Sequence, residues 1–154
     1  DKTRPKGRPE EIFVDTMGLG AGVADRLSEL GLPVVPVNVS EAAAMADRFV
    51  RLRPELWFAV REWLESKSVL IPSSIPLHRK LVEELCSIEQ KFTSNGKLDV
   101  ESKELMRSRG VKSPNVADAL CLTFANGGAT MAGGKQNFSW GKVNTLAYRA
   151  PGVV

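Results

Sequence analysis

Ile12-Phe13-Val14-Asp15-Thr16-Met17-Gly18-Leu19-Gly20-Ala21-Gly22 is the stretch on which the fold turns. Three apolar residues run into a carboxylate, and the chain then breaks into a glycine-rich turn. A short apolar run bounded by turn signals predicts a buried strand. Asp15 then sits at the strand's carboxyl end, the edge at which open α/β sheets bind ligands. Its plain structural alternative is an Asx-turn leading into the glycines. Gly18, Gly20 and Gly22 follow G-x-G-x-G, not the dinucleotide fingerprint G-x-G-x-x-G, and Val23 stands where the last glycine belongs. No Lys-Ser/Thr follows, so the turn is not a P-loop either. A tight turn and close helix packing suffice to explain the glycines.

Working outward, Val23, Leu27 and Leu30 share one face of a helix that Gly31 would stop. Leu32 to Val39 reads as a second short strand, with Pro33 and Pro36 suited to its start or to an exposed edge. Strand, helix and strand in this compass predict a parallel pair. Ser40 to Phe49 starts like a capped helix. A further helix runs from Pro54 to about Ser66, and Leu77, Leu81, Leu85 and Ile88 repeat at helical spacing. Asn95-Gly96 signals a hairpin within 91–101. A short charged helix over 101–109 ends at Gly110.

The second acid of interest lies in Ser113-Pro114-Asn115-Val116-Ala117-Asp118-Ala119-Leu120-Cys121-Leu122-Thr123-Phe124-Ala125. Ser113 is the expected N-cap and Pro114 the expected first residue. From Val116 to Ala125 only Asp118 and Thr123 are polar, so the helix is apolar nearly all round and predicted buried. An ionised carboxylate there is costly unless it is paired or metal-bound. The alternative is a first-turn acid favouring the helix dipole. Two carboxylates brought together hold hard divalent cations, and two such ions serve phosphodiester cleavage. The expectation is that Asp15 and Asp118 meet over a metal. No third acid is evident: Glu41, Asp47 and Glu55 read as solvated helix faces, and His78, the sole histidine, as a surface residue.

The chain has 154 residues, 43% hydrophobic and 25% charged, ordinary for one globular domain. No apolar run approaches the roughly 20 residues of a membrane helix. Cys86 and Cys121 have no metal-ligand spacing and no disulfide framework. The first nine residues carry four basic side chains against Asp1, and 125–154 carry three and no acid. With +3 overall, the middle is therefore mildly acidic. Basic ends around an acidic centre suit a polyanion partner, or solubility alone. The reading divides the chain into a basic arm over 1–9, a folded domain over 10–125 and a glycine-rich tail, read as mostly disordered, over 126–154.

The combined pattern resembles the C-terminal nuclease domain of tailed-phage terminase large subunits. Its marks are Val14-Asp15-Thr16-Met17-Gly18-Leu19-Gly20, Leu30-Gly31-Leu32-Pro33-Val34, Glu55-Leu56-Trp57-Phe58 and Arg61-Glu62-Trp63-Leu64. They continue through Ile71-Pro72, Glu83-Glu84-Leu85, Glu101-Ser102-Lys103-Glu104, Arg109-Gly110 and Ser113 to Leu120. The resemblance implies an α/β, RNase H-like mixed sheet flanked by helices, here truncated on its N-terminal side. It implies Mg²⁺- or Mn²⁺-dependent cutting of concatemeric double-stranded DNA during packaging in the bacterial host cytoplasm. Terminase small subunit and portal protein are the implied partners. Asp15 matches the acid ending a central strand, and Asp118 the acid on the closing helix. The family's first acid lies on an opening strand that has no counterpart here, and the ATPase domain has none. An acid often stands where this chain has Asn115, and an asparagine where it has Arg51. The chain is thus expected to cleave weakly or not at all alone, with its opening strand supplied by a preceding segment or another chain. A non-catalytic DNA- or protein-binding remnant is the alternative. Lys103, Arg107, Arg109 and Lys112 are candidate phosphate contacts, or ordinary surface charge.

Overall fold

The apolar run before Asp15 forms a strand, and the glycines after it form the turn into a helix. The structure is a computed structural model that describes residues 9–66 and 69–125. In chain order the elements are β1 (Ile12–Asp15), α1 (Gly20–Glu29), β2 (Val34–Val37), α2 (Leu52–Glu65), α3 (His78–Leu85), β3 (Gln90–Phe92), β4 (Leu98–Val100), α4 (Lys103–Ser108) and α5 (Asn115–Leu122). The architecture is mixed α/β. The arm over 1–8 and the tail over 126–154 lie outside the described residues.

β1 and β2 pair in parallel, Ile12 opposite Val34 and Asp15 opposite Val37, with α1 as the crossover. β3 and β4 form the hairpin expected at Asn95-Gly96, antiparallel from Gln90–Val100 to Phe92–Leu98. The two pairs are separate two-stranded sheets among the described residues. α2 and α3 both pack on α5, α2 also meets β4, and α5 reaches β1. Phe49, Leu56, Val60, Val100, Ala117 and Cys121 form the centre of the core. α2 bridges the hairpin and α5, and α5 in turn joins α2, α3 and β1.

Gly20 shows why the turn after Asp15 needs glycine. A Cβ built there would lie 1.7 Å from the Asp15 carbonyl oxygen, so helix and strand end are in backbone contact. Gly20→Ala is expected to destabilise the fold by about 1–3 kcal/mol, as overpacking does. Urea denaturation reads that loss, and an unchanged midpoint would mean that the turn relaxes freely.

Two expectations need correction. Ser40 to Phe49 is not a helix but a succession of turns. The Ser40 amide donates to Asn38 Oδ1 at 3.1 Å, and the amides of Ala44 and Met45 donate to the Glu55 carboxylate at 2.7 and 3.3 Å. A carboxylate from α2 thus takes the donors that a local helix would have used. Glu55 is accordingly 6% exposed and no solvated face, whereas Glu41 and Asp47 are exposed as expected.

Candidate functional site

Asp15 is placed by β1, whose pairing with β2 continues one residue further: the Thr16 amide donates to the Val37 carbonyl at 2.8 Å. The Asp15 Oδ1 accepts the Met17 amide at 3.0 Å, closing an Asx-turn into the glycines. Its plain structural reading and its candidate role thus coexist.

Asp118 sits in the first turn of α5. Ser113 does not cap that helix: Pro114 is at the cap position and no neighbouring side chain serves. The open amides of Val116 and Ala117 donate instead to Glu84 Oε2, at 2.7 and 2.9 Å. Glu84, 8% exposed on α3, also pairs with Lys80 at 3.7 Å. A carboxylate at a helix N-terminus satisfies free donors and the dipole together. This fixes the start of α5 and with it the position of Asp118.

The Asp118 carboxylate is held unequally. Oδ1 accepts the Trp57 indole N–H at 3.0 Å and an Arg53 N–H at 3.4 Å. Oδ2 is buried and accepts no hydrogen bond, and the Lys103 ammonium faces it as an ion pair at 3.2 Å. Arg53 is anchored in turn by the Glu101 carbonyl at 3.0 Å.

Asp15 and Asp118 line one cleft of about 540 Å³. Glu104, Arg51, Arg53, Lys103, Asn115 and Ser102 line it too. Three carboxylates and three cations therefore face the same space. Arg51 leans on Asp99 at 3.5 Å, and its buried Nε makes no hydrogen bond. The Glu104 carboxyl lies below its ordinary value, because its own amide and the Ser102 hydroxyl donate to it. Burial, with the Asp118 charge added, pushes the Cys121 thiol up, so it is a core thiol and no nucleophile.

Among the described residues no group of three His, Cys, Asp or Glu is arranged to hold a metal. Magnesium-type sites, however, use one or two carboxylates together with waters and phosphate. Asp15, together with Asp118 Oδ2 if a cation took the place of the Lys103 ammonium, would meet that smaller requirement. Asn115 adds an amide where an acid would have added charge.

Of the four cations singled out from the sequence, Lys103 reaches the cleft. Arg107 and Lys112 are exposed outside its lining. Arg109 is committed elsewhere, to Glu101, to Glu89 at 3.1 Å and to the Ser87 carbonyl at 3.0 Å. His78 starts α3 and does not line the cleft. Arg53, Trp57, Glu84 and Glu104 carried no sequence signal as site residues. Each acts through partners far along the chain, or through a cleft that local spacing does not reveal.

The chain is thus a mixed α/β domain with Asp15 and Asp118 at one cleft. Neither a protein-family model nor a curated protein matches the sequence. Solved structures match it, and they support a terminase nuclease domain over 73% of this chain. One is the nuclease domain of the large terminase subunit gp2 of bacterial virus Sf6, with a TM-score of 0.59 and 27% identity. A point-mutant form of that domain solved with manganese gives a TM-score of 0.61 at 26% identity. The mutant solved with calcium gives 0.60 at 26%. The present chain spans 65% of the length of the manganese-bound domain and 64% of the other two.

Proposed function

We propose that the chain is the larger part of a metal-dependent DNA endonuclease domain of a phage terminase large subunit, with an RNase H-like fold. The observation that supports this reading is that Asp15 and Asp118 line one cleft, in a chain similar to terminase nuclease domains. Double-stranded DNA is the proposed substrate, and the portal and small subunit are partners through the parent protein. The folded unit is proposed to run over 10–125.

In this reading Asp15 and Asp118 hold Mg²⁺ or Mn²⁺ by carboxylate oxygens. The bound ion supplies charge for the leaving oxygen and lowers the pKa of water. Lys103 balances Oδ2 in the metal-free cleft, and a divalent cation bound there would compete with it for that oxygen. Lys103 would then be available to a DNA phosphate in a cleft that Arg51 and Arg53 also line. Cleavage by this chain alone is proposed to be weak: Glu104 shares the cleft, but no three acids are grouped to hold a metal among the described residues.

Calorimetric titration with Mn²⁺ tests the reading. Binding in the micromolar-to-millimolar range, lost in Asp15→Ala, is the expected result. Absence of binding at millimolar Mn²⁺ would instead favour a non-catalytic DNA- or protein-binding remnant. That second reading draws its support from the lack, among the described residues, of three acids grouped to hold a metal, and from the two cations already set against Asp118.

A further inference from the structure

We infer that Trp57 is a positioning residue of the metal cleft: its indole N–H pins Asp118 by Oδ1 and so presents Oδ2 to the cation. The inference rests on the nuclease reading and adds to it the group that orients its second acid. Trp57 is 6% exposed, on the α2 face that meets α5. An indole nitrogen is a donor only, and a buried one requires an acceptor. Here the acceptor is one carboxylate oxygen at 3.0 Å.

A free carboxylate has two equivalent oxygens. In this site the equivalence is broken. Trp57 and Arg53 both donate to Oδ1, while Oδ2 keeps its lone pairs and meets an ammonium. The Trp57 donor is restrained from following a rotating carboxylate because its side chain is buried in the core cluster with Leu56, Phe58 and Val60. Trp57 lines the acid cleft. It also lines an apolar cavity of about 450 Å³ with Phe58, Val60, Leu85, Ile88 and Val100. Partners that orient a ligand in this way cost about 10–100-fold in metal affinity when removed.

The test compares wild type, Trp57→Phe and Trp63→Phe as full chains. Trp63 is on the same helix and packs edge-on against Phe124, with ring centroids 5.6 Å apart. Calorimetric Mn²⁺ titration is expected to show about tenfold weaker binding for Trp57→Phe and wild-type binding for Trp63→Phe. A second reading comes from the indole N–H resonance in ¹H–¹⁵N spectra, assigned by its loss in Trp57→Phe. It is expected downfield in the wild type and is expected to move upfield in Asp118→Ala. Equal Mn²⁺ affinity of wild type and Trp57→Phe overturns the inference, as does equal weakening by both tryptophan variants. An indole resonance indifferent to Asp118→Ala overturns it too. A wild type that binds no Mn²⁺ while the indole still responds to Asp118→Ala overturns the nuclease reading and, with it, the role of Trp57 toward a cation.

Discussion

Asp118→Asn is expected to abolish Mn²⁺-dependent nicking of plasmid DNA and to weaken Mn²⁺ binding by at least about a hundredfold. The lower bound follows from the geometry. Partners outside the ligand shell cost about 10–100-fold when removed, and Asp118 is proposed as a ligand itself. Asparagine keeps an oxygen where the Trp57 indole and Arg53 donate, so the packing of α2 on α5 is preserved. What it removes is the charge on Oδ2, the oxygen that accepts no hydrogen bond and faces Lys103. The change also leaves Arg53 and Lys103 without their carboxylate, making the cleft more repulsive to a divalent cation. Circular dichroism should show a folded protein. Wild-type nicking by this variant would remove Asp118 from the chemistry.

The largest stability effect is expected at Glu101→Gln. Glu101 is 1% exposed, at the junction between β4 and α4. Its carboxylate accepts the Glu89 amide at 2.9 Å and pairs with Arg109, and its backbone carbonyl holds Arg53. One residue thus ties hairpin, α4 and cleft together. Removing one partner of a buried pair costs about 3–5 kcal/mol. Arg109 is 37% exposed, so water relieves part of the stranded charge, and about 2–3 kcal/mol is the expected loss by urea denaturation.

The same carboxylate gives stability a sign in pH. Burial works to raise its pKa, but the Arg109 hydrogen bond, the Glu89 amide and the nearby cations together bring it below the ordinary 4.5. A group with a lowered folded value contributes stability above the unfolded value and loses it as pH falls through the folded one. The wild type should therefore lose stability as pH falls from about 4.5 downward, and Glu101→Gln should lose less of it over that window. Parallel pH curves for the two proteins would show that Glu101 is not the titrating group.

Where the sequence was informative, the signals were local. The apolar run before Asp15, the pair Asn95-Gly96 and the stops at Gly31 and Gly110 all act within a few residues. The last two are left-handed at φ 71° and 74°, as helix-ending glycines commonly are. Asp118 was conspicuous because few polar residues share its helix. The failures were all long-range. Glu55 reaches back about ten residues to take two amides, and a helix expected over 40–49 becomes turns. Glu84 caps α5 from another helix, so Ser113, the obvious local cap, is left without that role. Arg109 reads as a surface cation until Glu101 is found beside it. The Trp57–Asp118 hydrogen bond was invisible for the same reason, since its partners lie 61 residues apart.

The even balance of opposite charges around the cleft bears on how DNA would find it. A neutral trough exerts little pull on a phosphate chain at a distance and displaces few counterions when one arrives. Attraction rises only after a divalent ion adds its own two positive charges. In the proposed nuclease role, a domain built this way would engage its polyanion chiefly once a divalent ion is bound.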